Sequence, residues 1–273
     1  MDLYPDLEAN YTHDHLAVWH KSVDFLKDPR FVEAYRRGMD SGHRIGRPAG
    51  SRADIHIEWR VHVLCWAAAH AAHLPGDFVE CGVNTGIFSL AAAYYVDFNK
   101  LDKSFFLFDT FAGIPEEQIT DVERIWERHL DNVRSYDECF ETARQNFSVY
   151  PRARLVRGKV PDTLTIENIP QVCYLSLDMN IAAPEIAALE FFWDKLVPGA
   201  PVIMDDYGWI PYKAQKEVLD AFAARKGVQI LTLPTGQGLL LKPPIGSPNS
   251  SSKRFGARTW RSVRAKLDRL FSS

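Results

Sequence analysis

The sequence lacks the features that are typical of nucleic-acid-binding, membrane-spanning, secreted and disulfide-bonded proteins. Its 273 residues carry a net charge of −3, which gives no positive surface for binding nucleic acid. No apolar run is long enough to span a bilayer, and the N-terminus has neither the basic nor the apolar region of a signal peptide. The four cysteines form no C-x-x-C pair, which predicts buried free thiols in a reducing compartment. We therefore expect a cytoplasmic protein with no nucleic acid partner.

The G-x-G-x-x-G fingerprint of dinucleotide-binding folds is also absent. Residues 77–90 read DFVECGVNTGIFSL, which predicts an apolar strand, a turn on Gly82 and Gly86, and an apolar helix. Where the fingerprint requires its first glycine, this chain has Glu80. A carboxylate there repels a pyrophosphate but suits a cationic or hydrogen-bond-donating ligand. This substitution argues against a nucleotide-dependent oxidoreductase.

A second apolar strand, 105–109, ends in Asp109. Doubly wound folds hold a ribose with an acid at this position. In the preceding turn, Gly82 and Gly86 allow close approach of the backbone to a ligand, and the helix directly after that turn offers free N–H groups. The pattern predicts a site for a cofactor that contains a nucleoside. A plain tight turn, a buried Glu80 bonded to backbone amides and a capping role for Asp109 remain as alternatives.

Apolar strands alternate with helical stretches through most of the chain. This alternation implies parallel strand pairing with right-handed crossovers. The predicted fold is an α/β, doubly wound, Rossmann-like and mostly parallel seven-stranded sheet. The predicted strands are 77–81, 105–109, 153–157, 172–178, 200–205, 228–233 and 238–242.

Three segments, 1–52, 114–150 and 244–273, depart from this alternation of strands and helices. Residues 15–39 have apolar side chains at helical spacing, so we assign 1–52 to an N-terminal helical extension before the main domain, 53–243. The long stretch 114–150, between the second and third strands, is either a lid-like insertion over the site or a decorated crossover.

Residues 244–273 are predicted to be a linker followed by a basic amphipathic helix. Positions 253–271 contain seven Lys or Arg and one Asp. Such a helix fits a membrane surface or an acidic partner. It equally fits packing on its own domain or on the sister subunit of a homo-oligomer.

Two later strands also end in acids, Asp178 and the pair Asp205-Asp206. The carboxyl ends of parallel strands share one edge, where three carboxylates repel each other unless a cation lies between them. Mg²⁺ is the usual cation for such oxygen ligands. Adjacent strand residues point to opposite faces, so Asp205 and Asp206 can reach the same cation only if the regular strand geometry breaks there. Tyr207-Gly208, directly afterwards, makes such a break plausible. Capping of the next helix by the Asp205-Asp206 pair is the alternative.

Six motifs resemble one family, the macrocin and mycinamicin type O-methyltransferases, which methylate sugar hydroxyls of antibiotics. The motifs occur in the family's order within about residues 53–243. They read GDFVECGV (76–83), FDTFAGIP (108–115), RGKVPDTL (157–164), LDMN (177–180), DDYG (205–208) and TGQGLLLK (235–242). The resemblance implies a Mg²⁺-dependent enzyme that uses S-adenosyl-L-methionine (SAM).

The resemblance also implies roles for individual residues. The metal ligands would be Asp178, Asp205 and Asp206. Our own hypothesis for the mechanism is that Asp178 or Asp206 accepts the proton released by the acceptor hydroxyl. The cofactor-binding residues would be Glu80, Gly82, Val83, Thr85, Gly86, Asp109, Thr110, Phe111, Gly158 and Asp178. Asn180 and Gly199-Ala200 depart from the usual family residues, which weakens any transfer of substrate identity.

The expected activity is transfer of a methyl group to a hydroxyl of a sugar or glycosylated metabolite. A catechol-like diol suits the same chemistry. A non-catalytic scaffold on this fold is the alternative. His129, Trp126, Trp209 and Tyr212 are further candidates for contacts with the acceptor.

Overall fold

A seven-stranded sheet forms the centre of the computed structural model, which describes residues 8–45 and 54–244. The strand order is β5-β4-β3-β6-β7-β9-β8; β3 to β7 are parallel, and β9 is antiparallel to both of its neighbours. A separate antiparallel hairpin pairs β1 with β2. The strands are β1 Tyr11–His13, β2 Leu16–Val18, β3 Asp77–Cys81, β4 Phe105–Asp109, β5 Ala153–Arg157, β6 Val172–Leu177, β7 Pro201–Met204, β8 Leu231–Thr232 and β9 Gly238–Leu241.

Eight α-helices accompany these strands in the described part of the chain. They are α1 Pro29–Met39, α2 Glu58–Ala71, α3 Ile87–Tyr95, α4 Asp121–Ile125, α5 Asp131–Arg134, α6 Phe140–Phe147, α7 Ala182–Trp193 and α8 Lys213–Lys226. Single 3₁₀ turns occur at Asp24–Lys27, Phe98–Lys100, Glu116–Gln118, Arg128–Leu130 and Ile210–Tyr212.

The predicted doubly wound fold is confirmed. Strands β3, β4 and β5 have the predicted bounds, and every residue of β6 is buried, as expected for a strand covered on both faces. The strand order reverses between β3 and β6, because β4 and β5 lie on one side of this pair and β7 on the other. Ligand sites of such sheets lie at the carboxyl ends of the strands beside this reversal.

The prediction of one helix over 15–39 is wrong in its first half. Residues 11–18 form the β1–β2 hairpin, whose turn residues Asp14 and His15 both have positive φ, 51° and 56°. Tight hairpin turns of this kind usually contain Asn-Gly or Asp-Gly in the sequence, and no glycine is present here. The helix begins only at Pro29, where proline's fixed φ suits the first turn.

Helix α1 is part of the main core and does not stand apart from it. Phe31, Ala34 and Tyr35 on its inner face are buried in the core cluster, and the helix packs on α3. A Cβ at Gly38 would collide with the carbonyl oxygen of Ile87, so the two helices approach through this glycine.

The N-cap of α1 provides a direct test of local stability. The Asp28 carboxylate accepts a hydrogen bond from the backbone N–H of Arg30 at 2.9 Å. We expect Asp28→Ala to lower the free energy of unfolding by about 1 kcal/mol, the usual loss for an N-cap. Asp28→Asn is the matched control, because asparagine caps as well as aspartate, and it should restore most of the stability in urea unfolding. Equal losses in both variants would show that the cap contributes nothing.

The insertion 114–150 is anchored to the main domain. The buried Glu123 accepts hydrogen bonds from the Thr120 N–H within a capping box and from the Ala182 N–H of α7, the latter at 2.7 Å. Its role as a lid-like cover over the site stays a prediction. All four cysteines are buried and free, as predicted.

None of the helices within residues 8–45 and 54–244 has the length and apolar character needed to cross a membrane. The predicted linker and basic helix at the C-terminus lie outside the described residues, apart from position 244.

Candidate active site

A pocket opens at the carboxyl ends of β3, β4 and β6, and the insertion forms one side of it through Ile114 and Tyr136. Three of the sequence-predicted site residues, Thr85, Gly86 and Asp205, do not line the pocket. The predicted residues that do line it are Glu80, Gly82, Val83, Asp109, Thr110, Phe111, Gly158, Asp178 and Asp206.

The turn after β3 depends on a glycine at position 82. Its φ is 91°, in the left-handed region that L-residues avoid. A Cβ at this position would overlap the backbone carbonyl of Asp178, because β3 and β6 run side by side here and the Asp178 N–H donates to the Cys81 carbonyl at 2.8 Å. Gly82 therefore brings the end of β6 against the cofactor turn.

The Asp109 carboxylate organises this turn in the structure. One oxygen accepts hydrogen bonds from the backbone N–H groups of Val83 at 2.5 Å and Asn84 at 2.7 Å. The other accepts from the Phe111 N–H at 2.6 Å. The acid thus holds the ends of β3 and β4 in register with each other. Its predicted role toward a ribose stays a prediction.

Thr85 and Gly86 support the turn from behind. The buried Thr85 hydroxyl shares a hydrogen bond of 2.8 Å with Ser41. Gly86 has a φ of 105° and precedes α3, and a Cβ there would lie 2.7 Å from the ring of Phe147. The two residues shape the backbone and do not face the pocket.

Glu80 is a buried acid at the floor of the pocket. Its side chain is 1% exposed, and within the described residues its Oε2 atom has no hydrogen-bond partner. Burial raises the pKa of Glu80 well above its ordinary value, and the charges of Asp178 and Asp109 add to the increase. A positively charged group of a ligand would satisfy this carboxylate. The site therefore suits a cofactor that carries an ammonium or a sulfonium.

Asp178 and Asp206 form a second, coupled pair of acids. Burial, and then the charge of Asp206, raises the pKa of Asp178 to about 7; burial raises that of Asp206 to about 6. Within the described chain, Asp206 Oδ2 has no hydrogen-bond partner. A buried Asp206 with an unused oxygen beside the half-buried Asp178 fits a divalent cation, since Mg²⁺ often takes only one or two carboxylates and completes its shell with other oxygens.

Asp205 has a different environment from its neighbour. It contacts Arg60 of α2 in a buried ion pair and accepts a hydrogen bond from Gln237 Nε2 at 2.9 Å. The chain turns directly after β7, so Asp205 and Asp206 leave the strand in different directions. Neither acid caps α8, whose N-cap Tyr212 makes no side-chain capping bond, and this speaks against the helix-cap alternative.

The structure does not gather all three predicted metal ligands into one cluster. Within the residues described, the one set of three possible ligands with atoms within 4.8 Å of each other is Asp54, His56 and Glu58, a largely exposed group outside the pocket. Metal coordination by Asp205 stays a prediction.

Several site residues were not found from the sequence. Arg60 lies within a helix whose pattern predicts only apolar packing. In the insertion, Arg128 forms an ion pair with the pocket residue Asp131 at 3.0 Å and stacks on Tyr212, with 4.4 Å from the guanidinium carbon to the ring centroid. The Tyr212 hydroxyl donates to Asn180 Oδ1 at 3.2 Å. These contacts connect the insertion to the end of β6.

Of the four candidates for acceptor contacts, only Tyr212 lines the pocket. Trp126 is 41% exposed on the insertion, and Trp209 packs edge-on against His15. His129 has a buried Nδ1 atom with no hydrogen-bond partner in the described residues, and it is not part of the pocket wall.

The side of the pocket formed by the N-terminal part of the chain is apolar. Ile45, Ile55 and Ile57 line it, and all three precede the matched family motifs in the sequence. We refer to these residues as the isoleucine wall. They are an apolar surface beside Arg60, which faces the same pocket.

Comparison with known proteins gives a consistent picture. A sequence model of the macrocin O-methyltransferase (TylF) family matches residues 60–232. The mycinamicin III 3''-O-methyltransferase of Micromonospora griseorubida is 26% identical over 175 residues, which cover 60% of this chain and 66%, just under two thirds, of that relative.

Solved structures share the fold. The O-methyltransferase NovP aligns with a TM-score of 0.61 and 23% identity, over 77% of this chain and 88% of its own. The calicheamicin methyltransferase CalS11 aligns with a TM-score of 0.53 and 17% identity, over 82% of this chain and 94% of its own. With the family match over more than half of its length, the chain belongs to the macrocin O-methyltransferase family, whose members are O-methyltransferases that use SAM.

Proposed function

We propose that this protein transfers the methyl group of SAM to a hydroxyl of a sugar or glycosylated metabolite, with the assistance of Mg²⁺. The observation that carries the proposal is one pocket that combines two acidic features. Glu80 and the Gly82 turn suit a positively charged cofactor, and the Asp178–Asp206 pair suits a divalent cation.

The acceptor class rests on the relatives. The matching relative from Micromonospora griseorubida is named for the 3'' oxygen of mycinamicin III, and CalS11 is named for calicheamicin. We extend this preference for elaborate natural products to the present chain. The isoleucine wall supports the extension, because an apolar surface in the same pocket as the carboxylate pair can hold the apolar body to which a hydroxylated ring is attached.

Each group of pocket residues has its own proposed role in methyl transfer. Glu80 and the amides of the Gly82 turn would orient the cofactor, and alignment of two reactants can lower a barrier by several kcal/mol. Asp178 and Asp206 would hold Mg²⁺, which supplies the electrostatic polarisation that acidifies a hydroxyl. One of the two carboxylates would accept the released proton. Tyr136 and Ile114 of the insertion would exclude water from this side.

The direct test is a screen for methyl transfer. Purified full-length protein would be incubated with methyl-labelled SAM and a panel of sugars, glycosylated metabolites and catechols, with Mg²⁺ or with EDTA. We expect label in a hydroxylated glycoside, and at least about a 10-fold lower rate in EDTA. Label that appears equally fast in EDTA would contradict the metal's role. Absence of SAM binding by calorimetry would favour a scaffold protein.

A further inference from the structure

Arg60 is a nearly buried cation at the acidic edge of the site. Its side chain is 17% exposed, and its partner Asp205 is 1% exposed. The guanidinium Nε donates to Asp205 Oδ1 at 3.2 Å, and Nη2 contacts the second carboxylate oxygen. Nη2 also lies 3.9 Å from Asp206 Oδ1. One guanidinium group therefore faces both of these adjacent acids.

The pair is held in place by two further side chains. Gln237 Nε2 donates to Asp205 Oδ1 at 2.9 Å and to the Arg60 carbonyl at 3.4 Å. The guanidinium carbon lies 5.7 Å from the ring centroid of Phe88 on α3. Contacts from α3 and from the residue before β9 thus fix Arg60 against the end of β7.

Acids outnumber their close basic partners at this edge. Within residues 8–45 and 54–244, Arg60 is the one basic side chain within 4.0 Å of Asp205 or Asp206, and Asp178 has no ion pair. One guanidinium group within ion-pair distance therefore serves the buried Asp205 and Asp206, and among the described residues the half-buried Asp178 has no basic partner at that distance. A divalent cation between Asp178 and Asp206 would correct this imbalance, but it would also lie close to the guanidinium group.

We propose that Arg60 is a positioning residue that acts as the internal counter-ion of the acidic edge and competes with the divalent cation for it. The proposal rests on the Mg²⁺ site of the proposed function. Without metal, Arg60 holds Asp205 in its ion pair. When metal binds, the guanidinium charge opposes it, and Asp205 becomes available to the cation.

The competition follows from electrostatics in a poorly hydrated site. Two positive charges a few ångströms apart repel each other strongly where water cannot screen them. A buried carboxylate that loses its only counter-ion is destabilising, so the metal-free protein needs Arg60. Removal of Arg60 should consequently weaken the metal-free fold and strengthen metal binding. A purely structural arginine would give the opposite sign for metal binding or no change.

The experiment compares full-length wild type with Arg60→Met, Arg60→Gln and Arg60→Lys. Mn²⁺ affinity is measured by calorimetric titration, and the melting temperature is measured in EDTA and in saturating Mn²⁺. Arg60→Met should bind Mn²⁺ at least about 10-fold more tightly than wild type, have a lower melting temperature in EDTA, and gain more from added Mn²⁺. Arg60→Gln, which can still donate to Asp205, should change affinity in the same direction. Arg60→Lys retains the charge and should stay within about 3-fold of wild type.

The outcomes separate this inference from the proposed function. If wild type binds Mn²⁺ while folded Arg60→Gln or Arg60→Met binds it equally or more weakly, the competition is refuted and the metal site stands. If wild type shows no Mn²⁺ binding, the metal site and the competition both fail, while SAM-dependent transfer is judged by the methyl-transfer screen.

Discussion

We expect the Asp178→Asn variant to lose methyl transfer by a factor on the order of 1,000 in turnover rate, as is common when a proton acceptor or metal carboxylate is removed. The change removes one of the two acids that face each other in the pocket, and asparagine keeps nearly the same shape. The measurement is single-turnover transfer of labelled methyl in saturating Mg²⁺. Near wild-type turnover would refute the assigned role of this carboxylate.

A stability measurement distinguishes lost chemistry from lost structure. Burial raises the pKa of Asp178 to about 7 in the folded protein. A carboxyl with a raised pKa destabilises the fold increasingly as pH rises from the ordinary pKa of an aspartate to about 7, and the loss levels off above that, because the group is then deprotonated in both the folded and the unfolded state. Asp178→Asn should therefore melt at or above the wild-type temperature in EDTA at pH 8. Asp102→Asn is the control, since the Asp102 side chain is fully exposed and its loss should change neither rate nor stability.

The Gly82→Ala variant should lose both stability and cofactor binding. The new Cβ meets the Asp178 carbonyl, and the positive φ of 91° adds backbone strain. We expect the free energy of unfolding to fall by about 2–5 kcal/mol, from strain and overpacking together. SAM affinity should fall at least about 10-fold, because β6 or the turn has to move away. Urea unfolding and calorimetry with SAM measure the two effects.

Gly199→Ala is the matched control for this variant. Gly199 has a similar φ of 84°, but the nearest atoms to a Cβ there lie 3.9 Å away, in ordinary contact. It should show only the backbone strain, about 1–3 kcal/mol, and normal SAM affinity. If the two variants lose equal stability and equal affinity, the close approach of β3 and β6 has no special importance.

The sheet could be predicted because its strands are short apolar runs that can be recognised in the local sequence. Apolar runs such as 105–109 end in an acid and are separated by helical stretches, and parallel pairing follows from that alternation. The N-terminal hairpin could not be predicted in this way. Its turn uses Asp14 and His15 where glycine is the usual signal, so the apolar spacing alone indicated a helix.

The site was predictable in outline for a related reason. Acids at the ends of neighbouring strands must lie on one edge, and this placed Glu80, Asp109, Asp178 and Asp206 around one pocket. Arg60 gave no such signal, because its partner Asp205 is distant in the sequence and only the folded sheet brings them together. Ion pairs between residues of different helices and strands depend on the tertiary structure, which local sequence patterns do not reveal.

The isoleucine wall and the acids of the pocket come from different parts of the sequence. Ile45, Ile55 and Ile57 all precede residue 60, where the family match begins, whereas the predicted acids of the pocket follow it. If the isoleucine wall contacts the acceptor, as proposed, its three positions can change without any change in the acids. Because α1 in the same segment belongs to the core, point changes at the three isoleucines, and not exchange of the whole segment, are the route to altered acceptor choice that the fold can tolerate.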